Sequence, residues 1–363
     1  MLNPKCQVLR FYVPLICILI ILSGSFRYAD GNHNGAVLQS VTEFTAKPLS
    51  ACLVRHSSSG SSVGGHHTHG DGTSCLTFWQ NGTVVWHRGG IRGWAWLRYV
   101  PQLRSLVWCT FHALHIVRLG RQSKTLVYSA PTRFVFLNYM LTIDHNGGKL
   151  ISVPLEGVDI LAGQPREAFR LEIIDVVNHT VTSVPLVGFP LKTEFYGRSL
   201  LVSAASIRPS GPRRFFFDKF AVGKVRNRLV VHRTLHNVCS MMVRSFVNGK
   251  PVVIDKKHDQ ILIGTTAMQL RLRRQKIKQV VDAQDAALVL LSDGSYGVAK
   301  APRWTYHRLG RLSSGKIIGT GRNRTGFWLA QSTGTLGRVR IIEVGKQGVI
   351  MAVSVATAPA ARK

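Results

Sequence analysis

Acidic residues are scarce in this chain, and their scarcity limits the chemistry it can carry out. Asp and Glu together number 17 among 363 residues, against 47 Lys and Arg, which gives a formal net charge of +30. General acid–base catalysis therefore has few candidate groups, and most of the aspartates follow predicted strands or lie in turns, where Asp serves local hydrogen bonding. We predict that the protein has no catalytic residues and is not an enzyme.

Cysteine is also sparse, and none of the six cysteines forms a CxxC pair. This spacing excludes a zinc ribbon and a scaffold dense in disulfides. Cys52 and Cys75 bracket a loop and would be able to pair in an oxidising compartment, but we prefer free thiols. His66, His67 and His69 lie in a Ser/Gly-rich stretch without the rigid frame of a structural metal site, so we expect neither a metal nor a cofactor.

Two enzyme motifs are matched only in part. Residues 310–317 approach the P-loop pattern, but Ile317 stands where a Ser or Thr would bind Mg²⁺, and the following residues indicate a strand rather than a helix. Residues 60–64 match GxSxG, but a nucleophile elbow requires a strand before the motif and a helix after it. Neither match supports an enzymatic function.

The sequence has one conspicuous apolar run, and it is too short to span a membrane as a helix. Residues 11–22 are almost wholly apolar, whereas a spanning helix needs roughly 20 residues. Basic residues precede the run and small residues follow it, so residues 1–29 resemble a secretory signal peptide that ends near Ser25. The lack of acids in this segment also fits an organellar presequence. In a third interpretation the run is an anchor that lies on a membrane, and residues 11–22 are the only segment expected to contact one.

The remainder of the chain divides by composition into a linker and a repeat domain. We predict a flexible linker at residues 30–74 because its second half is rich in Ser, Gly and His. From Cys75 onward, short apolar runs alternate with Gly, Asn, Asp, Ser and Pro turns. We place the repeat domain at residues 75–355 and a short basic tail at residues 356–363.

The repeat domain contains eight candidate β-hairpins, with turns near residues 81, 121, 146, 178, 209, 248, 294 and 334. Asn-Gly and Asp-Gly turns are strong hairpin signals because Gly readily adopts the positive φ of a tight primed turn. Most of the turns are spaced near the ~40–45 residues of a four-stranded propeller blade. The sequence therefore predicts a mainly-β fold, a β-propeller of about seven blades. Two β-sandwich or barrel domains are the alternative.

The hairpin at residues 288–295 (LVLLSDGS) and the repeat rhythm resemble WD-repeat-like propellers, over roughly Cys75 to Val355. The Gly-His and Trp-Asp dipeptides of WD repeats are absent from that region. The resemblance implies a rigid interaction scaffold, usually without catalysis. We interpret the Asp293-Gly294 turn as structural and expect function in the basic segments beside it.

Basic residues gather in clusters that we predict to contact a polyanion. Guanidinium groups bridge phosphates and stack on bases, and aromatic residues lie beside several of them, although we expect Phe215, Phe216, Phe217 and Trp304 to be core residues. The predicted nucleic-acid-binding residues are Arg213, Arg214, Lys224, Arg226, Arg228, Arg271, Arg273, Arg274, Lys276, Lys278, Arg303, Arg308 and Arg311.

These features favour a non-enzymatic scaffold that binds RNA or acidic protein partners within a larger assembly. We expect a component of an organellar ribonucleoprotein, such as the mitochondrial ribosome or its assembly machinery, and hence a mitochondrial location. The alternative is a secreted or membrane-anchored glycoprotein interaction module, with glycan acceptors at Asn81, Asn178 and Asn323. A second alternative is an enzyme with its site in the propeller channel.

Overall fold

The computed structural model describes most of the chain between residues 37 and 357. The predicted targeting segment and most of the basic tail lie outside the described residues, and so does most of the stretch between Ser57 and Thr73. None of the described residues belongs to a helix long and apolar enough to cross a membrane. The described ranges are 37–46, 49–57, 73–120, 124–144, 148–157, 169–206, 214–225, 228–255, 260–269, 276–283, 285–312, 316–322, 326–333 and 338–357.

Seven antiparallel sheets follow one another along the chain, and each is built from consecutive strands. Blade 1 comprises β1 (Val37–Ala46), β2 (Leu49–Ser57), β3 (Thr73–Gln80) and β4 (Thr83–Arg92). Blade 2 comprises β5 (Trp96–Val100), β6 (Ser105–Cys109), β7 (Ala113–Arg118) and β8 (Lys124–Ser129). Blade 3 comprises β10 (Thr142–Ile143), β11 (Leu150–Gly157), β12 (Phe169–Asp175) and β13 (Thr180–Leu186), with the short β9 (Phe134–Phe136) paired to β11. Two short 3-10 helices are present, Pro101–Leu103 between β5 and β6 and Asn138–Met140 between β9 and β10.

The remaining four blades follow the same plan. Blade 4 comprises β14 (Phe189–Tyr196), β15 (Ser199–Ala205), β16 (Phe215–Val225) and β17 (Arg228–Cys239). Blade 5 comprises β18 (Val243–Val247), β19 (Lys250–Asp255), β20 (Gln260–Ile263) and β21 (Thr266–Gln269). Blade 6 comprises β22 (Ile277–Ala283), β23 (Ala286–Leu291), β24 (Ser295–Lys300) and β25 (Thr305–Arg311). Blade 7 comprises β26 (Ile317–Arg322), β27 (Gly326–Ser332), β28 (Arg338–Gly345) and β29 (Ile350–Thr357).

The blades form a ring, so the chain is a seven-bladed β-propeller, as predicted. The first strands of neighbouring blades contact one another, β1 with both β5 and β26, and therefore line the centre of the ring. Among the described residues, seven hydrophobic clusters fill the seven interfaces between neighbouring blades. A pair of sandwich or barrel domains is therefore excluded.

All eight predicted hairpins are present as antiparallel strand pairs. At Asn81-Gly82 and Asn248-Gly249, φ is positive at both positions, as a primed hairpin turn requires. Blade 3 contributes two of the hairpins, and the others join different strand pairs in different blades. The turn spacing is therefore uneven although the blades repeat regularly.

Blade 1 begins earlier than the sequence predicted. β1 and β2 lie within the segment 30–74 that we predicted to be a linker, and β2 pairs with β3 from Ser50 to Ser57. The Ser/Gly/His-rich residues 58–72 lie outside the described residues, and their composition concealed the two strands before them. The linker prediction was therefore wrong for residues 37–57.

Among the described residues, blade 7 and blade 1 share no strand, because each is built from its own consecutive strands, and they pack against each other. Phe44 and Trp328 meet edge to face, with ring centroids 6.2 Å apart. A Cβ added at Gly319 would lie 2.3 Å from the carbonyl oxygen of Val41, so the two inner strands approach too closely for any larger residue.

Cys52 and Cys75, on either side of residues 58–72, form no disulfide, in agreement with the prediction that we preferred. Cys52 is buried in the cluster between blades 1 and 2. On β3, Cys75 lies four residues before Trp79 and therefore on the same face of the strand. Trp79 packs toward blade 7. Side chains alternate across a strand, so the two thiols lie on opposite faces of the sheet.

Candidate functional site

The order of the strands divides the propeller into two faces. Each blade is an antiparallel meander, so the turns between its second and third strands share one face with the links to the next blade. We call this the connection face. The turns between first and second strands, and between third and fourth strands, form the opposite face, which we call the hairpin face.

The predicted binding residues are divided between these faces. Arg214, Lys276, Lys278 and Arg311 lie at the connection face, and the last three are close together at blade 6. The residues at the hairpin face are Lys224, Arg228 and Arg303, whereas Arg308 lies along the outer strand of blade 6. Five predicted residues lie outside the described part of the chain, namely Arg213, Arg226, Arg271, Arg273 and Arg274.

Lys224 has an internal partner. Its ammonium group pairs with the buried carboxylate of Asp175, which ends β12. That carboxylate also accepts hydrogen bonds from the backbone amides of Val177 and Asn178, at 3.0 and 3.1 Å, and from the Asn178 side chain. Burial would raise the pKa of Asp175, but these hydrogen bonds, led by the one from Lys224, together hold it below its usual range. Lys224 thus fastens blade 4 to blade 3.

A pocket of about 430 Å³ opens at the connection face between blades 6 and 7. Its apolar wall includes Leu290 and Leu312, which are buried, and Ile317, which is partly buried. The exposed residues Lys278 and Arg311 lie at its mouth. The complete lining is Lys278, Leu290, Leu291, Ser292, Asp293, Gly294, Arg311, Leu312, Ile317 and Gln331.

The Asp293-Gly294 turn shapes this pocket. Gly294 has φ +81°, and its carbonyl accepts the Leu312 amide at 2.9 Å, which joins the turn to the far end of the blade. Asp293 accepts the backbone amide of Ser295 at 2.9 Å and its hydroxyl at 2.7 Å. The turn is structural, as we predicted, and it also forms part of the pocket wall.

The lining contains one carboxylate, and it is already engaged. The hydrogen bonds from Ser295, together with the positive fields of Arg308 and Arg311, hold the pKa of Asp293 below its usual range. Arg308 donates to the Ser295 hydroxyl at 2.6 Å, and Arg311 donates through Nε to the Asp293 carbonyl at 2.9 Å. That bond uses one of the five N–H donors of Arg311.

Two more lysines flank the pocket, so its mouth is strongly basic. Lys276 is exposed. Its carbonyl accepts a hydrogen bond from the Ser292 amide at 2.8 Å, and its own amide donates to the Ser292 hydroxyl at 3.2 Å. Lys316 is exposed at the start of blade 7, and its carbonyl accepts the Ser332 amide at 2.9 Å. We define Lys276, Lys278, Arg311 and Lys316 as the basic rim.

Of the ten lining residues, sequence reasoning predicted only Lys278 and Arg311 as binding residues. Lys316 lies within the incomplete P-loop match, which we had set aside, and its charge was the available signal. Gln331 is nearly fully buried and belongs to the neighbouring blade, so no local signal placed it here. Trp304, Phe216 and Phe217 are buried, as predicted. Phe215 is only partly buried, so the core prediction was wrong for that residue.

Within the part of the chain that the structure describes, no group of three or more His, Cys, Asp or Glu side chains is placed to hold a metal ion. Asn81 and Asn178 lie in exposed turns, but the side-chain nitrogen of Asn178 donates to Asp175 at 2.8 Å. Asn323 lies outside the described residues.

The chain matches no protein-family model and no curated protein sequence. It is similar in structure to the β-propeller domain of the Trilobed protease from Pyrococcus furiosus, which is described as having an open velcro topology. That match has a TM-score of 0.56 and 10% identity, and covers 84% of this chain and 93% of that chain. The Pyrococcus horikoshii acylaminoacyl peptidase matches with a TM-score of 0.54 and 10% identity over 84% of this chain. An acylaminoacyl peptidase in complex with Z-Gly-Gly-Phe-chloromethyl ketone matches with a TM-score of 0.56 and 10% identity over 84% of this chain.

These matches establish the fold alone. The aligned region spans 51% of each acylaminoacyl peptidase chain, about half its length. The propeller architecture implied by the WD-repeat resemblance is confirmed, whereas no family model assigns the chain to WD repeats.

The comparisons overturn the predicted role as an RNA-binding scaffold of an organellar ribonucleoprotein. The similar propellers are parts of peptidases, and none of the three is described as binding RNA. The prediction rested on net charge, and the structure shows why that was misleading. The described basic residues are divided between two faces, and Lys224 and Arg308 have internal carboxylate partners.

Proposed function

We propose that this propeller is a non-catalytic protein-interaction domain that binds an acidic segment of a partner protein in the pocket between blades 6 and 7. The observation that carries the proposal is the basic rim around an apolar wall. The wall, formed by Leu290, Leu312 and Ile317, would receive an apolar side chain. The rim would hold the neighbouring carboxylates, because guanidinium and ammonium groups form charge-assisted hydrogen bonds with them.

The lining favours a peptide over a nucleic acid. None of the ten lining residues is aromatic, whereas proteins that bind single-stranded nucleic acid stack its bases on aromatic side chains. The volume of about 430 Å³ lies within the range of pockets that enclose small ligands or anchoring side chains. The similar solved structures are parts of peptidases, which also supports a polypeptide ligand.

The proposal is tested with a fluorescently labelled peptide of alternating Glu and Leu, whose binding to the full chain is followed by anisotropy. Lys276→Glu with Lys278→Glu reverses two charges of the basic rim without removing the Arg311 contact to the turn. We expect the double variant to bind about tenfold more weakly, a loss of about 1.4 kcal/mol. Binding of the wild type should also weaken as salt rises.

The matched control is Arg228→Glu with Arg303→Glu, which makes the same charge change at two exposed residues of the hairpin face. We expect it to change the affinity less than about twofold, because charges farther away than a Debye length are screened. Equal weakening by both double variants would show that only the net charge matters. Binding of single-stranded RNA at the rim, tighter than the peptide, would also overturn the proposal.

A further inference from the structure

Blades 4 and 5 meet at the least apolar of the seven interfaces between blades. Among the described residues, the hydrophobic cluster at this interface has four buried members, Leu201, Phe217, Val243 and Phe246. Each of the other six clusters has at least ten. An apolar core this small leaves part of the interface to polar groups.

Lys192 lies on the face of blade 4 that is turned toward blade 5. It is opposite Ser203 of β15, which is in turn opposite Phe217 of β16, and cross-strand partners share one face of a sheet. Phe217 belongs to the cluster between the two blades. Because β14 is the inner strand of blade 4, Lys192 is at the channel end of this interface, and its side chain is exposed.

Arg244 lies at the same interface on the blade 5 side. β18 has a bulge between Val243 and Ser245. Val243 and Phe246 therefore both pack toward blade 4 although they are three residues apart. Arg244 is the extra residue of the bulge and directly follows Val243 on the inner strand of blade 5. The two inner strands β14 and β18 contact each other, so Arg244 and Lys192 lie on adjoining walls of the channel.

Both cations lack a counter-ion. Among the described residues, neither the Lys192 nor the Arg244 side chain has a hydrogen-bond or ion-pair partner. Desolvation by the surrounding protein lowers the pKa of Arg244, although its side chain is exposed, a combination expected for a side chain in a narrow passage. Arginine stays protonated in proteins, and a partly desolvated charge without a partner is unfavourable. The buried Ser203 hydroxyl also has no hydrogen-bond partner there.

The nearest acid along β14 is already compensated. Glu194 follows Lys192 by two residues, and its Oε1 lies 3.7 Å from Nη1 of Arg322 in blade 7. Blades 4 and 7 are not neighbours in the ring, so this ion pair crosses the channel. Arg322 is the last residue of β26, and the inner strands end at the hairpin face. The pair therefore lies on the hairpin side of Lys192 and Arg244, and the two cations face the part of the channel that opens on the connection face.

We propose that Lys192 and Arg244 bind a phosphate-type dianion in the channel, at the interface of blades 4 and 5. A dianion compensates both charges, whereas a monocarboxylate leaves one of them uncompensated. The guanidinium fork matches two phosphate oxygens, and the ammonium acts as a point charge. The proposal does not rest on the peptide-binding function, which uses the pocket between blades 6 and 7.

Isothermal titration calorimetry of the full chain with inorganic phosphate, at constant ionic strength, tests the proposal. We expect one saturable site per chain. Lys192→Ala with Arg244→Ala should weaken binding at least about tenfold, because the phosphate loses both charge-assisted contacts. Arg244→Lys keeps the charge without the fork and should weaken binding about threefold. Phosphate should also raise the unfolding temperature of the wild type more than that of the double variant, a measurement that also shows that the variant folds.

The matched control is Arg228→Ala with Lys300→Ala, which removes one arginine and one lysine at exposed positions of the hairpin face. It should change the phosphate affinity less than about twofold, because distant charges are screened. Equal weakening by both double variants would show that phosphate responds only to the net charge of +30, and would overturn the proposal. Acetate that binds as tightly as phosphate would overturn it too, as would wild-type affinity in the Lys192 and Arg244 double variant.

Phenyl phosphate distinguishes a free anion from a phosphoryl group carried by a larger molecule. Binding comparable to that of inorganic phosphate, and equally sensitive to loss of Lys192 and Arg244, would assign the site to a phosphorylated molecule. Binding of inorganic phosphate alone would assign it to the free ion.

Discussion

The outer strands of blades 4 and 7 occupy the same position in their sheets but present opposite surfaces. β17 is exposed from His232 to Val238 and carries Arg228, Arg233 and His236. β29 is exposed over a similar length and carries no charge. The fold determines that both strands are edges, whereas the side chains determine what each edge can contact.

β17 is also fastened to its surroundings by polar contacts. The buried carboxylate of Asp218 on β16 lies 2.6 Å from Nδ1 of His236 and 3.6 Å from Nε of Arg233. Arg233 also donates to the carbonyl of Pro185 in blade 3 at 3.0 Å, and the His236 ring stacks on Phe216. The charged groups of β17 therefore hold blade 4 against blade 3 and also keep a second strand away.

The comparison shows that an edge can be exposed for two different reasons. On β17, the side chains of Arg233 and His236 are partly exposed to water and also contact the buried carboxylate of Asp218. The exposed apolar groups of β29 have no such anchor and gain nothing from contact with water.

The largest expected effect comes from removing the anchor of β17. Asp218→Ala should lower the free energy of unfolding by about 2 kcal/mol, because it removes a buried carboxylate that is hydrogen-bonded to His236 and forms an ion pair with Arg233. Its two partners remain about one-third exposed and can be hydrated, which limits the loss. Urea unfolding measures it. Asp285→Ala, which removes a carboxylate with 66% of its side chain exposed, should have little effect. Equal losses in the two variants would show that Asp218 is no anchor.

A smaller effect should follow from the second attachment of blade 4, between Lys224 and Asp175. The pKa of Asp175 is lowered in the folded chain, so its ionised form stabilises the fold above its unfolded pKa, about 3.9. That stabilisation is lost as the pH falls through the lower folded value. Asp175→Asn should therefore cost about 1 kcal/mol near neutral pH and nothing at strongly acidic pH. Urea unfolding across this pH range measures the difference, and a cost that does not depend on pH would contradict this role.

The smallest effect on stability is expected at β29 itself. In dilute solution, Val353→Lys should change the free energy of unfolding by less than about 0.5 kcal/mol, because the side chain is already half exposed. Val238→Lys on β17 should behave in the same way. A large loss in dilute solution would show that Val353 supports the blade.

Local sequence was enough to identify the hairpins. The Asn81-Gly82, Asn248-Gly249 and Asp293-Gly294 turns were recognised because turn chemistry depends on neighbouring residues. The repeat spacing then indicated a propeller. β1 and β2 were missed because the Ser/Gly/His-rich residues that follow them dominate the composition of the segment.

The candidate site was only partly predictable. Lys278 and Arg311 were identified by charge, but their convergence with Ile317 and Gln331 requires blade 7 to pack on blade 6. Arg214, Arg228 and Arg303 were identified by the same signal and lie elsewhere. Charge in a sequence carries no information about which face of a ring it occupies.

The sequence by itself determined the hairpin turns and the mainly-β repeat architecture, because these depend on local backbone preferences repeated along the chain. The tertiary structure decided which basic residues share a pocket, which of them have internal partners, and that an apolar strand near residue 350 is exposed rather than buried. An apolar run has the same pattern in either setting. β29 pairs with β28 on one side, and because it is the last strand of its blade its other edge has no partner strand among the described residues.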